Sequence, residues 1–397
     1  MHLALFMSIL PMAMAIPANK RSEPAPVIIP RADVSNLIPN EYIVKLKEGS
    51  ALKSLEEAMS LLPGSPDHVF DSIFKGFTGK LDSLTLKAIQ LHPDVDYIEQ
   101  NMKVQASATV TQTNAPWGLA RISHKSSGST NYMYDESAGD GACVYVVDTG
   151  LDDQNSEFEG RAKEVQSFIG GSGDNCGHGT HVAGTIGSKD YGVAKKASIY
   201  GIKVLEYNAS NGKCEADNSI IISGLEYVAT DAATRNCPKG IVVNMSLGGG
   251  YSQASNDAAA ALVQKGYFVA VAAGNGDADQ NPIDAADVSP ASEPSVCTIG
   301  ATDSDDVVAS FSNYGSVVDL YGPGVDVTSV RVGGGTLQMS GTSMATPHIA
   351  GLGAYLLGLG YSARTMCESI QDLALQGLIQ GVRSGTKNLL AQNGIGA

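Results

Sequence analysis

From residue 110 onward, short apolar runs alternate with segments whose apolar residues recur at helical spacing. Runs that are apolar throughout are typical of strands buried on both faces of a parallel sheet. The predicted strands are 143–148, 198–205, 240–246, 267–273, 296–301 and 317–320. The predicted helices are 178–187, 218–234, 253–265 and 343–358. This alternation predicts an α/β fold with a mostly parallel sheet and helices on both faces.

The preceding residues, from 39 to about 103, follow a different pattern. Strand-like and helix-like segments alternate there in the order 41–46, 52–62, 69–81, 84–91 and 95–99. Because 69–81 is long enough for two strands, the order is β-α-β-β-α-β, which predicts a separate, small, ferredoxin-like α+β domain. Residues 16–38 contain several prolines and a basic pair, so we predict a linker there.

The first 15 residues are mostly apolar and end in Ala13-Met14-Ala15, a small-x-small cleavage pattern. This stretch is too short to span a membrane, and we predict a signal peptide at 1–15. No later stretch reaches the length of a membrane span, and the C-terminus carries no lipid-anchor signal. We therefore expect a protein of the secretory pathway that does not bind membranes.

Charge and cysteine content narrow the function classes. The net charge of −15 argues against nucleic acid as a partner, because no basic stripe is present to neutralise phosphates. An even number of cysteines after a signal peptide predicts disulfides, although six cysteines allow 15 pairings. No C-x-x-C pair occurs, which argues against a zinc site.

The candidate nucleophile is Ser343, which follows Gly341-Thr342 and opens an apolar segment predicted to be a buried helix. Backbone N–H groups at a helix start lack intrahelical partners and stabilise a developing negative charge. A serine there suits a nucleophile whose product carries an oxyanion. The alternative is an ordinary helix cap, a position that serine also prefers.

Two further segments supply partners for a serine nucleophile. Asp148 ends an apolar strand, where open α/β sheets place their sites, and His178 lies between two glycines at the predicted start of a helix. A carboxylate that orients an imidazole allows it to take a proton from a serine hydroxyl. Asp148 as a turn residue, and His181 or His348 as the base, are the alternatives.

A fourth residue, Asn275, follows the predicted strand 267–273 within Gly274-Asn275-Gly276. Asn-Gly is a common turn signal, so Asn275 could be a turn residue only. The functional interpretation is that its side-chain amide donates to an oxyanion beside the backbone N–H of Ser343.

These motifs together resemble those of the subtilisin family of serine endopeptidases, and specifically its fungal proteinase K group. Several stretches carry the resemblance: 112–118, 147–150, 177–181, 191–196, 246–250, 273–275, 292–297 and 341–347. The order Asp148, His178, Ser343 is the order of the triad in this family. The resemblance, which covers about residues 110–395, implies a subtilisin-like fold and hydrolysis of peptide bonds.

The resemblance also implies a zymogen. Residues 39–107 would form an inhibitory propeptide domain, residues 108–397 the peptidase domain, and cleavage would fall between Gln105 and Thr111. We expect a monomer whose partners are protein and peptide substrates and its own propeptide. The disulfides implied are Cys143–Cys237 and Cys297–Cys367, which leaves Cys176 and Cys214 for a third.

Calcium is the implied ion. The resemblance places one structural site at the carbonyls of Pro294 and Val296 and the carboxylate of Asp319, and oxygen ligands are those that calcium prefers. A second site known in relatives needs an aspartate where this chain has Leu378, so we do not predict it.

Substrate recognition is expected to resemble that of the family, in which an extended peptide is bound as an added strand. The residues that match this strand and the adjoining pocket are Ser246, Leu247, Gly248, Gly249, Ala272, Ala273 and Gly274. Small uncharged pocket walls imply broad, mainly apolar specificity. The opposite rim departs from the family, because 206–218 is longer, contains Cys214 and has Asn218 near a tyrosine position.

Residues Asn208-Ala209-Ser210 in this loop form a possible glycosylation site, whereas the same pattern at Asn244 lies on a strand expected to be buried.

We expect an extracellular protein. Two alternatives are a vacuolar protease of the same family and a non-catalytic binding protein on the same fold.

Overall fold

The computed structural model describes residues 23–30, 37–103 and 108–396. The chain divides into two compact units, Met1–Ala106 and Ser107–Ala397. The predicted signal peptide, 1–15, and part of the predicted cleavage segment lie outside the described residues.

The described part of the N-terminal unit contains one five-stranded sheet and two helices. Its elements are β1 (Val27–Ile28), β2 (Leu37–Leu46), α1 (Leu52–Met59), β3 (His68–Phe70), β4 (Gly76–Lys80), α2 (Ser83–Gln90) and β5 (Val95–Met102). The sheet order is β1-β5-β2-β4-β3, in which only β1 and β5 are parallel. Its core includes Val44, Phe77 and Ile98, all fully buried. The predicted ferredoxin-like unit is confirmed.

The segment before β2 departs from the prediction of a linker over 16–38. Ala25 is fully buried, and its N–H and carbonyl both bond to Gln90, at 2.8 and 2.9 Å. The carbonyl of Pro26 then accepts from Ile98 N (3.0 Å), and β1 pairs with β5. The linker prediction is wrong for residues 25–28, because an edge strand tolerates flanking prolines and covers the free edge of β5.

The C-terminal unit is built on a nine-stranded sheet of order β21-β22-β18-β17-β15-β13-β8-β10-β9, in which every pair except β21–β22 is parallel. The strands of the sheet are β8 (Ala142–Asp148), β9 (Ala162–Ser167), β10 (Ser198–Lys203), β13 (Gly240–Met245), β15 (Phe268–Ala272), β17 (Cys297–Thr302), β18 (Leu320–Pro323), β21 (Leu375–Gln376) and β22 (Leu389–Leu390). Four antiparallel pairs lie outside it: β6 (Thr109–Gln112) with β7 (Tyr132–Asp135), β11 (Glu206–Asn208) with β12 (Lys213–Glu215), β14 (Gly249–Gly250) with β16 (Val288–Ser289), and β19 (Val327–Val330) with β20 (Thr336–Met339).

Six α-helices complete this unit within residues 108–396. They are α3 (Trp117–Ser123), α4 (His178–Gly187), α5 (Asn218–Asp231), α6 (Gln253–Gln264), α7 (Thr342–Gly358) and α8 (Met366–Leu373). Short 3₁₀ turns occur at Ser156–Phe158, Ala232–Thr234, Ala285–Asp287 and Ala363–Thr365. Within the described residues, no helix is long and apolar enough to cross a membrane.

Helices cover both faces of the sheet, as strand β8 illustrates. Its residues Val144 and Val146 belong to a buried cluster with side chains of α4 and α7. The alternate residues, Tyr145 and Val147, belong to a second cluster with side chains of α5 and α6. Because successive side chains of a strand point to opposite faces, an unbroken apolar run fills two cores at once. The predicted fold class is confirmed.

The last predicted strand, 317–320, is displaced by three residues to β18. Val318 is fully buried but precedes the ladder, and Asp319 follows it with a side chain that accepts from Thr298 N. Leu320 is the first residue of the ladder, opposite Ile299. The apolar pattern was therefore correct about burial and wrong about pairing.

Three disulfides join Cys143 to Cys237, Cys176 to Cys214 and Cys297 to Cys367. These are the pairs that the resemblance implied, among the 15 that counting alone left open. The second bridge joins the loop before α4 to strand β12.

Candidate active site

Asp148 is the last residue of β8, at the carboxyl edge of the sheet, and its side chain is fully buried. Oxygen Oδ1 accepts from Thr149 N and is 2.7 Å from His178 Nδ1. Oxygen Oδ2 is buried and has no hydrogen-bond partner in the described part of the chain. A carboxylate held this way keeps its charge directed at one ring nitrogen.

His178 is the first residue of α4, and Gly177 precedes it in the left-handed region (φ 81°). The turn leaves 24% of the imidazole exposed while the rest of α4 is buried. Burial alone would lower the pKa of His178, but the charge and hydrogen bond of Asp148, with the charge of Asp174, raise it above its ordinary value. Because Nδ1 faces the carboxylate, the neutral ring presents Nε2 as its free acceptor.

Asp174 organises the loop that leads into α4, a role that the sequence predictions missed. Its carboxylate accepts from the N–H groups of Gly177 and Thr180, both at 2.8 Å. Thr149 Oγ1 also donates to Asp174 (2.8 Å) and accepts from Gly179 N (2.8 Å). These bonds satisfy otherwise unpaired N–H groups at the start of α4 and fix His178 relative to the end of β8. An aspartate just before a predicted helix was the available sequence signal.

A buried lysine, Lys203, joins the same two segments from the other side. Its ammonium donates to the carbonyls of Thr149 (2.9 Å) and Gly173 (3.0 Å) and to Asn175 Oδ1 (3.2 Å). It also pairs with Glu206 at 3.2 Å. The side chain is 1% exposed, so these acceptors replace the water that a buried ammonium loses. No sequence pattern indicated this role, because the partners come from separate loops.

Ser343 is the second residue of α7. Its hydroxyl donates to the carbonyl of Ser246 (3.1 Å), the residue that follows β13, and no hydrogen bond to His178 is found among the described residues. Pro347 has no N–H to donate to the carbonyl of Ser343, and the Ser246 hydroxyl bonds to that carbonyl instead, at 2.9 Å. These two bonds fix the start of α7 against the end of β13.

Asn275 is exposed and lies next to the start of α7. Its Oδ1 accepts from both the N–H (2.8 Å) and the hydroxyl (2.9 Å) of Thr342. This arrangement orients the amide and leaves Nδ2 as a donor for another group. Gly274 before it has φ 97°, and a Cβ there would lie 2.5 Å from Asn313 Nδ2, so the turn requires glycine.

The alternative bases, His181 and His348, are buried. His181 Nε2 donates to the carbonyls of Val327 (3.0 Å) and Leu337 (3.1 Å), and His348 Nδ1 donates to Met344 O (2.9 Å). Burial lowers the pKa of each imidazole to about 4. Neither has a carboxylate partner within the described residues, so His178 is the histidine that the geometry favours as a base.

The predicted substrate-binding residues lie at the carboxyl ends of β13 and β15, the same edge of the sheet as Asp148. Gly248 and Gly249 are exposed, and β14, which begins at Gly249, pairs with β16. Ser246 and Leu247 are buried, as are Ala272 and Ala273, and Gly274 is half-buried. This edge therefore offers exposed glycine backbone beside small, uncharged side chains.

The rim formed by residues 206–218 contains a short hairpin, β11–β12. A disulfide joins Cys214 of this hairpin to Cys176, which is two residues before His178. Asn218 begins α5 and bonds to Ser252 (3.0 Å) and Ser255 (2.6 Å) at the start of α6. Of the two glycosylation patterns, that at Asn244 lies on a fully buried residue, as expected.

Asp319 precedes β18 and is beside the start of β17, which follows Val296. Its carboxylate is partly exposed and already attracts a cation, because Lys387 Nζ is 2.8 Å from Oδ1. A carboxylate and two backbone carbonyls are oxygen donors of the kind that calcium prefers, so the residues present fit the ion.

Two family models match the chain. Residues 139–388 match the model of the subtilase family of peptidases, and residues 41–107 match that of peptidase inhibitor I9. The chain belongs to the subtilase family. This subtilase is therefore a serine protease that carries an inhibitor domain of the I9 type before its peptidase domain.

Relatives extend along the whole subtilase. Proteinase R of Parengyodontium album is 52% identical over 398 residues, which covers 99% of each chain. A cuticle-degrading protease of Metarhizium anisopliae is 50% identical and covers 99% of this chain and 100% of the relative. The crystal structure of a cold adapted subtilisin-like serine proteinase is 40% identical, with a TM-score of 0.64, and covers 71% of this chain and 99% of the other. The resemblance to subtilisins and the proteinase K group is confirmed.

Proposed function

We propose that the subtilase is a secreted endopeptidase that uses Asp148, His178 and Ser343 as its catalytic triad. The observation that carries this proposal is the 2.7 Å hydrogen bond from His178 Nδ1 to Asp148, which leaves Nε2 free. In the reaction, the Ser343 hydroxyl turns from Ser246 O towards Nε2, gives up its proton and attacks the peptide carbonyl. His178 then donates that proton to the leaving amine, and Asp148 stabilises the imidazolium.

The oxyanion formed by this attack needs donors that are already oriented. Asn275 Nδ2 and the backbone N–H of Ser343 are the proposed pair. The two bonds from Thr342 to Asn275 Oδ1 support this assignment, because they fix the amide before substrate arrives. Preorganised donors cost no reorganisation energy when the charge develops.

The substrate is proposed to be a protein chain bound in extended form along residues 246–249, with a side chain in the pocket of Ala272, Ala273 and Gly274. Small walls without charge support broad, mainly apolar specificity, because no fixed carboxylate demands lysine or arginine. The hairpin 206–218 would border the upstream part of the peptide.

The N-terminal unit is proposed to be removed after secretion, with the mature chain starting between Gln105 and Thr111. The match of residues 41–107 to an inhibitor model supports this division, as does the apolar segment 1–15.

The calcium proposal assigns one ion to Pro294 O, Val296 O and Asp319. Calcium would neutralise the carboxylate and hold the loop before β17 to the start of β18, a structural role only.

The test uses the full chain expressed with its own leader. The N-terminus of the secreted product is sequenced, and kcat/KM is measured on peptides that differ only in the residue before the cut. We expect a start within residues 105–111 and faster cleavage after leucine, phenylalanine or alanine than after lysine or aspartate. A product that begins near Ile16, or a preference for a charged residue, would contradict the proposal.

A further inference from the structure

Asp319 lies just before β18, and its carboxylate forms an ion pair with the ammonium of Lys387. Its Oδ2 accepts from Thr298 N at 3.0 Å. Its Oδ1 accepts from Lys387 Nζ at 2.8 Å and from Gln371 Nε2 at 3.1 Å. Both oxygens are therefore satisfied by donors from three separate parts of the chain, and one donor carries a full positive charge.

The donors to the Asp319 carboxylate differ in how readily they can move away from it. Thr298 N belongs to strand β17 and is fixed by the ladder. Lys387 lies just before β22 on a long side chain that is 43% exposed, whereas that of Asp319 is 18% exposed. The ammonium can withdraw into water at a modest cost, because its side chain already reaches the solvent.

Among the described residues, two sulfurs are grouped with this carboxylate as possible metal ligands, and neither is anionic. The sulfurs of Cys297 and Cys367 lie within 4.8 Å of the carboxylate, but they are bonded to each other. Gln371, the other donor to Oδ1, is neutral. Lys387 is therefore the charged donor that pairs with Asp319 in the structure.

We propose that Lys387 is a built-in competitor of calcium at Asp319. This inference rests on the calcium part of the proposed function. A dication on Oδ1 and an ammonium on the same oxygen would repel strongly at such short range, so calcium binds only when Lys387 withdraws. The site then has two states. In one, the ammonium of Lys387 contacts the carboxylate of Asp319, and in the other, calcium does.

Two consequences follow for the protein without calcium. Chelation leaves a neutral, hydrogen-bonded site rather than an exposed carboxylate, so the subtilase loses little stability. Calcium affinity is lowered by the free energy of the ion pair that has to break. A partly exposed pair of this kind contributes about 1 kcal/mol or less, which corresponds to about a twofold to fivefold weaker Kd.

The test compares Lys387→Met with Lys163→Met in the mature enzyme, inactivated with a sulfonyl fluoride to prevent self-digestion. Lys163 is exposed on β9 at the other end of the sheet, so its variant controls for the loss of one positive charge. Calcium Kd is measured by titration calorimetry after chelator removal, and Tm is measured with and without chelator.

We expect Lys387→Met to bind calcium about twofold to fivefold more tightly than the parent and to lose more Tm on chelation. Lys163→Met should match the parent, and Asp319→Asn added to Lys387→Met should abolish the calcium response. If the parent binds calcium but Lys387→Met binds it no more tightly than Lys163→Met, the competitor role is wrong and the calcium site stands. If no variant binds calcium, both are wrong, while the activity on peptides is unaffected by that result.

Discussion

Two aspartates at opposite edges of one parallel sheet show how differently this fold uses the same side chain. Asp148 ends β8 at the carboxyl edge, and Asp319 precedes β18 at the amino edge. Asp148 is fully buried, bonds to a histidine and has one oxygen without a hydrogen-bond partner among the described residues. Asp319 is partly exposed, and both of its oxygens accept hydrogen bonds, one of them from a lysine.

The difference between these sites lies in the partner, because only the imidazole of His178 can gain and lose a proton near neutral pH. A buried carboxylate that is incompletely satisfied costs free energy, and such a cost is expected where chemistry requires it. A saturated carboxylate beside an ammonium has a structural role instead. Substitutions at the two positions should therefore affect different measurements.

The largest expected effect separates the two aspartates directly. Asp148→Asn should lower kcat about 10⁴-fold, the loss known for this change in a triad of another fold, because the amide favours the wrong tautomer of His178. Asp319→Asn should leave kcat within about twofold of the parent, since the carboxylate does not touch the reacting groups. Both are measured on one peptide substrate. Comparable losses of kcat in the two variants would refute the contrast.

A smaller effect is expected at Asn275, on the same edge as Asp148. For subtilisin, itself a member of this family, removal of the asparagine donor is known to cost about 10²–10³ in kcat, and we expect Asn275→Ala to lose a similar factor. KM should change little, because an amide in the proposed role acts on the charge of the transition state. A change in KM alone would assign Asn275 to binding or to the turn.

The pH dependence of the rate gives a further, smaller contrast. His178 must be neutral to accept the proton, and its pKa is raised above 6.5 by Asp148 and Asp174 in spite of burial. The acid limb of kcat/KM should therefore have its midpoint above pH 6.5, and the rate should fall about tenfold per pH unit below it. In Asp319→Asn the midpoint should not move. An acid limb with a midpoint below pH 6.5 would remove His178 as the base.

The smallest expected effect is on stability. Asp319→Asn removes a partly exposed ion pair, which contributes about 1 kcal/mol or less, and Tm should fall by about 2–4 °C at most. Lys387→Met added to Asp319→Asn should cause no further loss, since the pair is already broken. Thermal unfolding of the four combinations in the presence of chelator measures the coupling between the two side chains. Additive losses would show that they do not interact.

Much of the fold could be predicted from sequence because the pattern of the strands is strong. The unbroken apolar run 143–148 identifies β8, and the glycine before His178 marks the start of α4. The hairpin β19–β20 was missed because half of its strand residues are polar and it turns through three glycines at 333–335. The start of β18 could not be predicted from apolar residues either. Val318 is buried, but strand pairing begins only at Leu320.

The candidate site was predictable only in part. Asp148, His178, Ser343 and Asn275 each lie at the end of a strand or the start of a helix, so local patterns could identify them. Lys203 and Lys387 act through contacts among segments distant in the chain, and each is a single lysine in an unremarkable sequence. Such roles arise from tertiary structure and leave no periodic signal.

The central claim is that Ser343 is the nucleophile activated by the Asp148–His178 pair. The most direct measurement is covalent labelling of the mature enzyme by a fluorophosphonate probe, followed by mass spectrometry of the labelled peptide. Ser343→Ala, produced with its N-terminal unit removed by an added protease, is the comparison, with folding checked by Tm. We predict one label, on Ser343, that is absent from Ser343→Ala. A label that persists in folded Ser343→Ala would contradict the claim.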